Sequence, residues 1–522
     1  MLRSVLRATL ISCLALTACT KEKPYAVEEV SLAQLSADLA AKKTTSAAVT
    51  QAYIDRIKMY NAPLNAIIAV APDAIAQAQA SDKRRAEGKS LGPLDGVPVI
   101  LKDNIDATGM PTTAGSFALA ENVRAEDAHV TKRLKDAGAV ILAKANLSQW
   151  AGYRTTDSFA GSTVGGTPHN PYDLTKSAAG SSSGSGIAMA TSFGAGALGT
   201  DTSGSITGPS NVNGIVGLRP TRGLVSRGGI VPITELQDTA GPMARTVTDV
   251  AMMLTVLAGS DAADPRTQDA DAHKVDYAKA IDAGALKGAR IGVLRPQGNA
   301  DAKAGPVFDQ ALEVLKAQGA ELVEMPVTLE NLNEVGLAAE AFNFHRDIAA
   351  YLKDSPPAVK VRGVEDLLAF NKSDPREGKI SAIYWEEAAA SKGDMTSPQY
   401  TERMEYIQRR AGPEGYDALF SQYNIKAFVT AAGAPAGVIP ADGTPRSGGR
   451  GEGPGSFTRN AAIGGFPILT VPMGAVEGMP VGLSFVGPQW SEPTLLSFGY
   501  GYEKAGYERV APEAYKKAAA AK

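Results

Sequence analysis

Cysteine is almost missing from this chain of 522 residues: Cys13 and Cys19 are the only two. Both lie at the extreme N-terminus, so the body of the protein has no thiol chemistry, no disulfide and no cysteine-ligated metal. Histidine is nearly as scarce. His129, His169, His273 and His345 are all there is, and none falls in the last third, where an α/β-hydrolase usually keeps its base. Charge of one sign is also lacking: 52 Lys+Arg against 55 Asp+Glu leave no basic field for nucleic acid and no acidic tail. Only 6% of residues are aromatic while glycine numbers 54, which fits an α/β protein packed by close backbone approach. Beyond the first twenty positions, no apolar run is long enough to span a bilayer. The length allows a large core and exceeds one small domain.

The N-terminus is the exception. Arg3 and Arg7 precede a short apolar stretch, Ala8 to Ala18, of signal-peptide length. Leu16-Thr-Ala-Cys19 resembles the lipobox of bacterial lipoproteins. The expected organisation is a signal peptide over 1–18, a lipidated Cys19 with a polar tether over 19–27, one catalytic domain over 28–511, and a fraying Ala/Lys-rich tail over 512–522. Lipid on Cys19 would hold the exported protein on a membrane surface in the cell envelope. An ordinary signal cut near Ala18 is the plainer alternative.

Periodicity predicts the secondary structure. Leu32, Leu35 and Leu39, then Val49, Tyr53, Ile57 and Tyr60, recur at helical spacing. Apolar runs at Ala66–Val70, Val97–Leu101 and Ala139–Leu142 read as strands, with a helix over Asp127–Ala137 between the last two. Arg290–Leu294, Val307–Gln318 and Glu321–Val327 read as a βαβ unit. Residues 328–420 read as mainly helical, and Ala427–Thr430, Ile468–Val471 and Val481–Val486 return to strands. This alternation implies a largely parallel sheet covered on both faces. The Gly/Pro/Arg-rich stretch 441–456 is either a lid or a solvated excursion.

Two loops of small residues carry the chemistry. Ala179-Gly-Ser-Ser-Ser-Gly-Ser-Gly186 and Gly199-Thr-Asp-Thr-Ser-Gly-Ser-Ile206 offer Ser181 and Ser205, and Gly96-Val-Pro-Val-Ile-Leu-Lys-Asp-Asn104 runs an apolar strand into Lys102. Hydroxyls and an amine are the parts of a serine nucleophile activated without histidine. A lysine serves as base only when neutral, and burial at a strand end favours that form; Asp103 and Asp106 would oppose it if they pointed inward. Other readings fit poorly. Gly194-Ala-Gly-Ala-Leu-Gly199 matches a dinucleotide fingerprint but follows a helical stretch. Gly180-Ser-Ser-Ser-Gly184 matches a nucleophile elbow but follows polar, proline-bearing sequence. The chain has no phosphate-loop, zinc-protease or Ser-x-x-Lys motif.

With these residues in view, the chain is identified as a member of the amidase signature family, and within it resembles the peptide amidases. The lysine segment Gly96–Ile105, Thr112-Thr-Ala-Gly-Ser116, the Gly/Ser segment Ala179–Ser210, Gly217-Leu-Arg-Pro-Thr-Arg-Gly223, Gln237-Asp-Thr-Ala-Gly-Pro-Met-Ala-Arg245 and Gly465-Phe-Pro-Ile-Leu-Thr-Val-Pro472 resemble successive family blocks. The resemblance implies an α/β fold with a mixed, twisted central sheet and helices on both faces. It implies catalysis by Lys102, a bridging Ser181 preceded by a cis peptide, and a nucleophilic Ser205. It implies an oxyanion hole from the backbone of Thr202, Ser203 and Gly204, with neither metal nor cofactor. The substrate would be a small-molecule or peptide amide, cleaved to a carboxylic acid and an amine through an acyl-serine.

This chain departs from the family at two points. Ser203 stands where glycine is frequent, and Thr207 where an arginine is common. The Ser183 and Ser185 pattern tilts the expected substrate toward peptide or amino-acid amides. The rival functions are a binding protein with an idle amidase fold and a component of an amidotransferase that makes aminoacyl-tRNA amides.

Overall fold

The computed structural model describes residues 25–154, 161–295, 303–377, 382–440, 456–506 and 509–520. The signal sequence, Cys19 and almost all of the 441–456 loop therefore lie outside the described residues.

Eleven strands form one sheet, in the order β1 (Ile67–Val70), β3 (Val140–Ala145), β2 (Pro98–Lys102), β4 (Gly196–Asp201), β6 (Thr239–Ala244), β5 (Val216–Arg219), β10 (Ile468–Val476), β11 (Met479–Val486), β9 (Ala427–Ala431), β7 (Arg290–Val293) and β8 (Glu321–Glu324). The pairings β2–β3, β2–β4, β7–β8 and β7–β9 are parallel, and the other six are antiparallel. The sheet is thus mixed rather than largely parallel. The parallel parts are the two regions where strand and helix alternate in sequence. Between them lie the antiparallel strands β4–β6–β5, where the chain passes from β4 to β5 before β6 fills the place between them, and the β10–β11 hairpin, whose tight turn needs no crossover.

Three of these strands escaped the periodicity. β4, β5 and β6 are buried at every position like β2 and β3, but glycine, proline, threonine and charged residues break up their apolar runs. β4 also begins inside the Gly194–Gly199 stretch. Its glycines serve close packing: a Cβ on Gly196 would meet Met253 Sδ at 2.5 Å, and one on Gly199 would meet Met243 Sδ at 2.8 Å.

Local signals set the helix starts. Ser31 Oγ accepts from Gln34 N–H at 3.0 Å before Leu32–Ala40, and Thr45 Oγ1 accepts from Ala48 N–H at 3.1 Å before Ser46–Tyr60. Leu32, Leu35, Leu39, Val49, Tyr53 and Ile57 all join the main core. The 328–420 region is helical as expected, with helices at Asn333–Lys353, Val364–Ser373, Ile383–Ser391 and Pro398–Ala411. It carries its own apolar cluster around Trp150, Phe344 and Trp385.

Both ends of the domain differ from expectation. Val27 is buried and Tyr25 OH donates to Asp38, so packing begins inside the stretch assigned to the tether. Ala514–Ala520 is a helix rather than a fraying end. Its Tyr515 is buried, with its ring edge-on to Tyr60 at 5.4 Å.

Candidate active site

The site lies at the carboxyl ends of the neighbouring parallel strands β2 and β4, where an α/β sheet opens a crevice. Lys102 ends β2, and Asp201 ends β4. The Ser183–Ala190 helix lies between the two serine loops in sequence. Close approach is obligatory at its start: a Cβ on Gly184 would sit 2.3 Å from Ala66 O and 2.5 Å from Asn146 N. Ser182 Oγ bonds Thr200 O at 3.1 Å and accepts from Thr200 N–H at 3.3 Å, while Ser185 Oγ donates to Leu198 O at 2.9 Å. These two serines therefore fasten the helix to β4. Ser182, the central serine of the elbow-like motif, is structural.

Lys102 and Ser181 come together. Lys102 Nζ lies 2.7 Å from Ser181 Oγ, 2.9 Å from Thr200 Oγ1 and 3.3 Å from Thr200 O. The peptide bond between Gly180 and Ser181 is cis. The lysine is fully buried, and desolvation brings its pKa down to about 7 against the opposing pull of Asp201 and Asp238. The ammonium and the neutral amine are thus both accessible near neutral pH. In the neutral form, two N–H groups can satisfy the two Thr200 oxygens. The lone pair then faces the Ser181 hydroxyl.

Asp103 and Asp106 do not act on Lys102. Successive strand residues face opposite sides of a sheet. Asp103 lies 3.0 Å from Lys144 Nζ, and Asp106 accepts from Tyr351 OH at 2.7 Å.

Ser205 is joined to this cluster through its backbone: Ser182 N–H donates to Ser205 O at 3.2 Å. The Ser205 side chain is half-buried. Asp201 shapes the loop between β4 and Ser205, its carboxylate accepting from Gly204 N–H at 2.9 Å and Ile206 N–H at 2.7 Å. Arg219 Nη1 holds that carboxylate at 2.8 Å. The N–H groups of the expected oxyanion hole are not equivalent. The N–H of Gly204 is already donated to Asp201, whereas those of Thr202, Ser203 and Ser205 meet no protein acceptor among the described residues. Gly204 instead supplies a φ of 108°, which other residues avoid.

A cavity of about 360 Å³ opens beside the loop, lined by Asn104, Thr200, Thr202, Ile230, Asp238 and Tyr351 among others. Asp238 accepts from Thr202 Oγ1 at 2.7 Å and from the N–H groups of Ile233 and Thr234. Burial pushes its pKa up to about 6. Thr207, which stands in place of an arginine, is buried. Among the described residues no cluster of three or more His, Cys, Asp or Glu could hold a metal ion.

The residues missed at the sequence level are the supports. Asp201 and Asp238 stand inside family-like segments, but nothing distinguished them from solvated acids. Arg459, which reaches Ser203 from one helix, and Glu340, which holds Arg459 from another, carry no local signal at all.

Residues 48–496 match the family described as Amidase. The fold is similar to the X-ray structure of native peptide amidase from Stenotrophomonas maltophilia, with a TM-score of 0.86 and 40% identity over 93% of this chain and 98% of that one. A probable amidase of Arabidopsis thaliana is 32% identical over 94% of this chain and 92% of its own length. One chain of the glutamyl-tRNA(Gln) amidotransferase of Alkaliphilus metalliredigens is 30% identical over 92% of this chain and 96% of its own length.

Proposed function

Because this chain belongs to the amidase family and is a hydrolase of carbon–nitrogen amide bonds, we propose that it cleaves a peptide or amino-acid amide through an acyl-Ser205 intermediate. The observation that carries this reading is the 2.7 Å contact of a fully buried Lys102 with Ser181. Neutral Lys102 takes the proton of Ser181 as Ser181 takes that of Ser205. Ser205 Oγ adds to the amide carbon, and the carbonyl oxygen becomes an oxyanion facing the N–H groups of Thr202, Ser203 and Ser205. The proton returns through Ser181 to the amine nitrogen as the C–N bond breaks, since an amine anion is too poor a leaving group. Water then adds to the ester, the C–Oγ bond breaks, and a carboxylic acid leaves.

The likeness to peptide amidase supports a peptide-amide substrate. The amidotransferase relative of Alkaliphilus metalliredigens is 30% identical against the 40% of peptide amidase, and the near-neutral charge offers no field for tRNA. The N-terminal reading remains part of the proposal: export, cleavage before Cys19, and lipid anchoring in the bacterial cell envelope.

The test is turnover of purified protein on amidated peptides, aryl amides and fatty amides, with Ser205→Ala beside it. The variant is expected to lose at least about ten-thousand-fold in rate, and a fluorophosphonate is expected to label the wild type at Ser205. Near-normal activity of Ser205→Ala discards the nucleophile. A wild type that takes up no label and turns over no amide favours the idle-fold reading. Intact mass of membrane-extracted protein, with Cys19→Ser as control, tests the lipid.

A further inference from the structure

We infer that Arg459 is a positioning residue for the oxyanion loop, acting through the hydroxyl of Ser203; this rests on the reading of Ser205 as nucleophile. Arg459 Nη2 donates to Ser203 Oγ at 3.3 Å, and its neighbour Thr458 donates from Oγ1 to Ser203 O at 3.2 Å. Both come from the Phe457–Gly464 helix. The other guanidinium nitrogen, Nη1, pairs with Glu340 on the Asn333–Lys353 helix. The Arg459 and Glu340 side chains are only 4% and 2% exposed, so this pair is shielded from solvent.

The contacts continue into a closed ring. Glu340 Oε1 also accepts from Gln237 Nε2 at 2.8 Å. The carbonyl of Gln237 accepts from Arg219 Nη2 at 2.6 Å, and Arg219 Nη1 holds Asp201 at 2.8 Å. The ring thus leaves the loop at Asp201 and returns to it at Ser203. The two residues lie on either side of Thr202, whose N–H and that of Ser203 meet no protein acceptor among the described residues.

The loop needs such a clamp. It is a run of small residues with Gly204 at positive φ, and within the loop Asp201 ties down only the Gly204 and Ile206 N–H groups. A hydroxyl at position 203 gives the ring a handle that a glycine would not provide. An oxyanion donor works only when it already points to where the charge will appear, so a displaced loop lowers turnover more than substrate binding.

The experiment compares Ser203→Ala, Arg459→Lys and their double variant on the best amide substrate, with the aldehyde of the same acyl group as a tetrahedral-adduct probe. Each single change is expected to lower kcat about tenfold with KM little changed. The aldehyde is expected to bind correspondingly more weakly, and the double variant to be no worse than the poorer single. Multiplying effects, a change confined to KM, or unaltered kcat in folded single variants each overturn the inference. If Arg459→Lys does not fold, Ser203→Ala decides alone, because it removes only the handle. Activity surviving in Ser205→Ala would strike at the nucleophile assignment instead, so the two failures are distinguishable.

Discussion

Two lysines end up buried on adjacent parallel strands, and the regions around them have opposite characters. Lys102 on β2 and Lys144 on β3 are both fully buried. The register pairs Lys102 with Ala145 and Leu101 with Lys144, so the two side chains leave opposite faces of the sheet. On one face Lys144 has a carboxylate partner, Asp103 at 3.0 Å, together with Ile105 O at 2.7 Å and Thr112 Oγ1 at 3.1 Å. On the other face Lys102 touches only hydroxyls and a carbonyl, with Asp201 and Asp238 acting from further away. One lysine is tied into an ion pair and serves as structure. The other pays its desolvation without a direct counter-ion, and its pKa falls to about 7. Burial alone does not free a lysine to act as a base; the absence of a carboxylate in contact is what supports the proposed role of Lys102.

The sharpest way to break the contrast is activity. Lys102→Ala is expected to lower kcat/KM about a thousandfold, whereas a folded Lys144→Met protein keeps its pH profile; similar losses in both would dissolve the distinction. Stability should reverse the order. Lys144→Met leaves Asp103 buried without its cation and is expected to destabilise by about 3–5 kcal/mol. Adding Asp103→Asn should recover most of that, as read by denaturant melts.

The pH dependence sharpens the same point. Below pH about 7 Lys102 holds its proton and cannot act as base, so kcat/KM should rise about tenfold per pH unit on the acid side and level off above about 7. Asp238, pushed up to about 6, loses its proton on the same limb, and Asp201 also faces the lysine. A rate that peaks well on the acid side would contradict an amine base.

The smallest effect is on melting. Unfolded Lys102 keeps its proton to about pH 10.4, while the folded form releases it near 7. Between these values the unfolded state binds more protons, so rising pH stabilises the fold. Lys102→Met should therefore melt higher than wild type at pH 7, by about 2–4 °C, with the gain fading toward pH 10. A variant that melts lower across this range would mean that the lost hydrogen bonds outweigh the desolvation.

Much of the outline was legible before any coordinates. Leu32, Leu35 and Leu39 repeat with the helical period because one face is buried and the other is wet. Arg290–Val293, Gly305–Ala317 and Glu321–Glu324 fall where the βαβ pattern put them. β4, β5 and β6 did not declare themselves, since glycine, proline, threonine and charged residues break up the apolar run that revealed the equally buried β2 and β3. The fate of Asp103 was equally hidden: whether it opposed Lys102 depended on which strand lay alongside. The Ala/Lys-rich end read as loose, because only the docking of Tyr515 beside Tyr60 gives that helix something to pack on.

The amino-acid order by itself determined the residue types available for catalysis, the helices with a wet face, the near-neutral charge and the two small-residue loops, because these are properties of neighbours along the chain. Only the tertiary structure decided which lysine would stand without a carboxylate, that Arg219 would hold Asp201, and that Arg459 would reach Ser203 while paired with Glu340. Those outcomes depend on sheet register and on contacts between segments distant in sequence, such as the 119 residues that separate Glu340 from Arg459. No local pattern encodes such contacts.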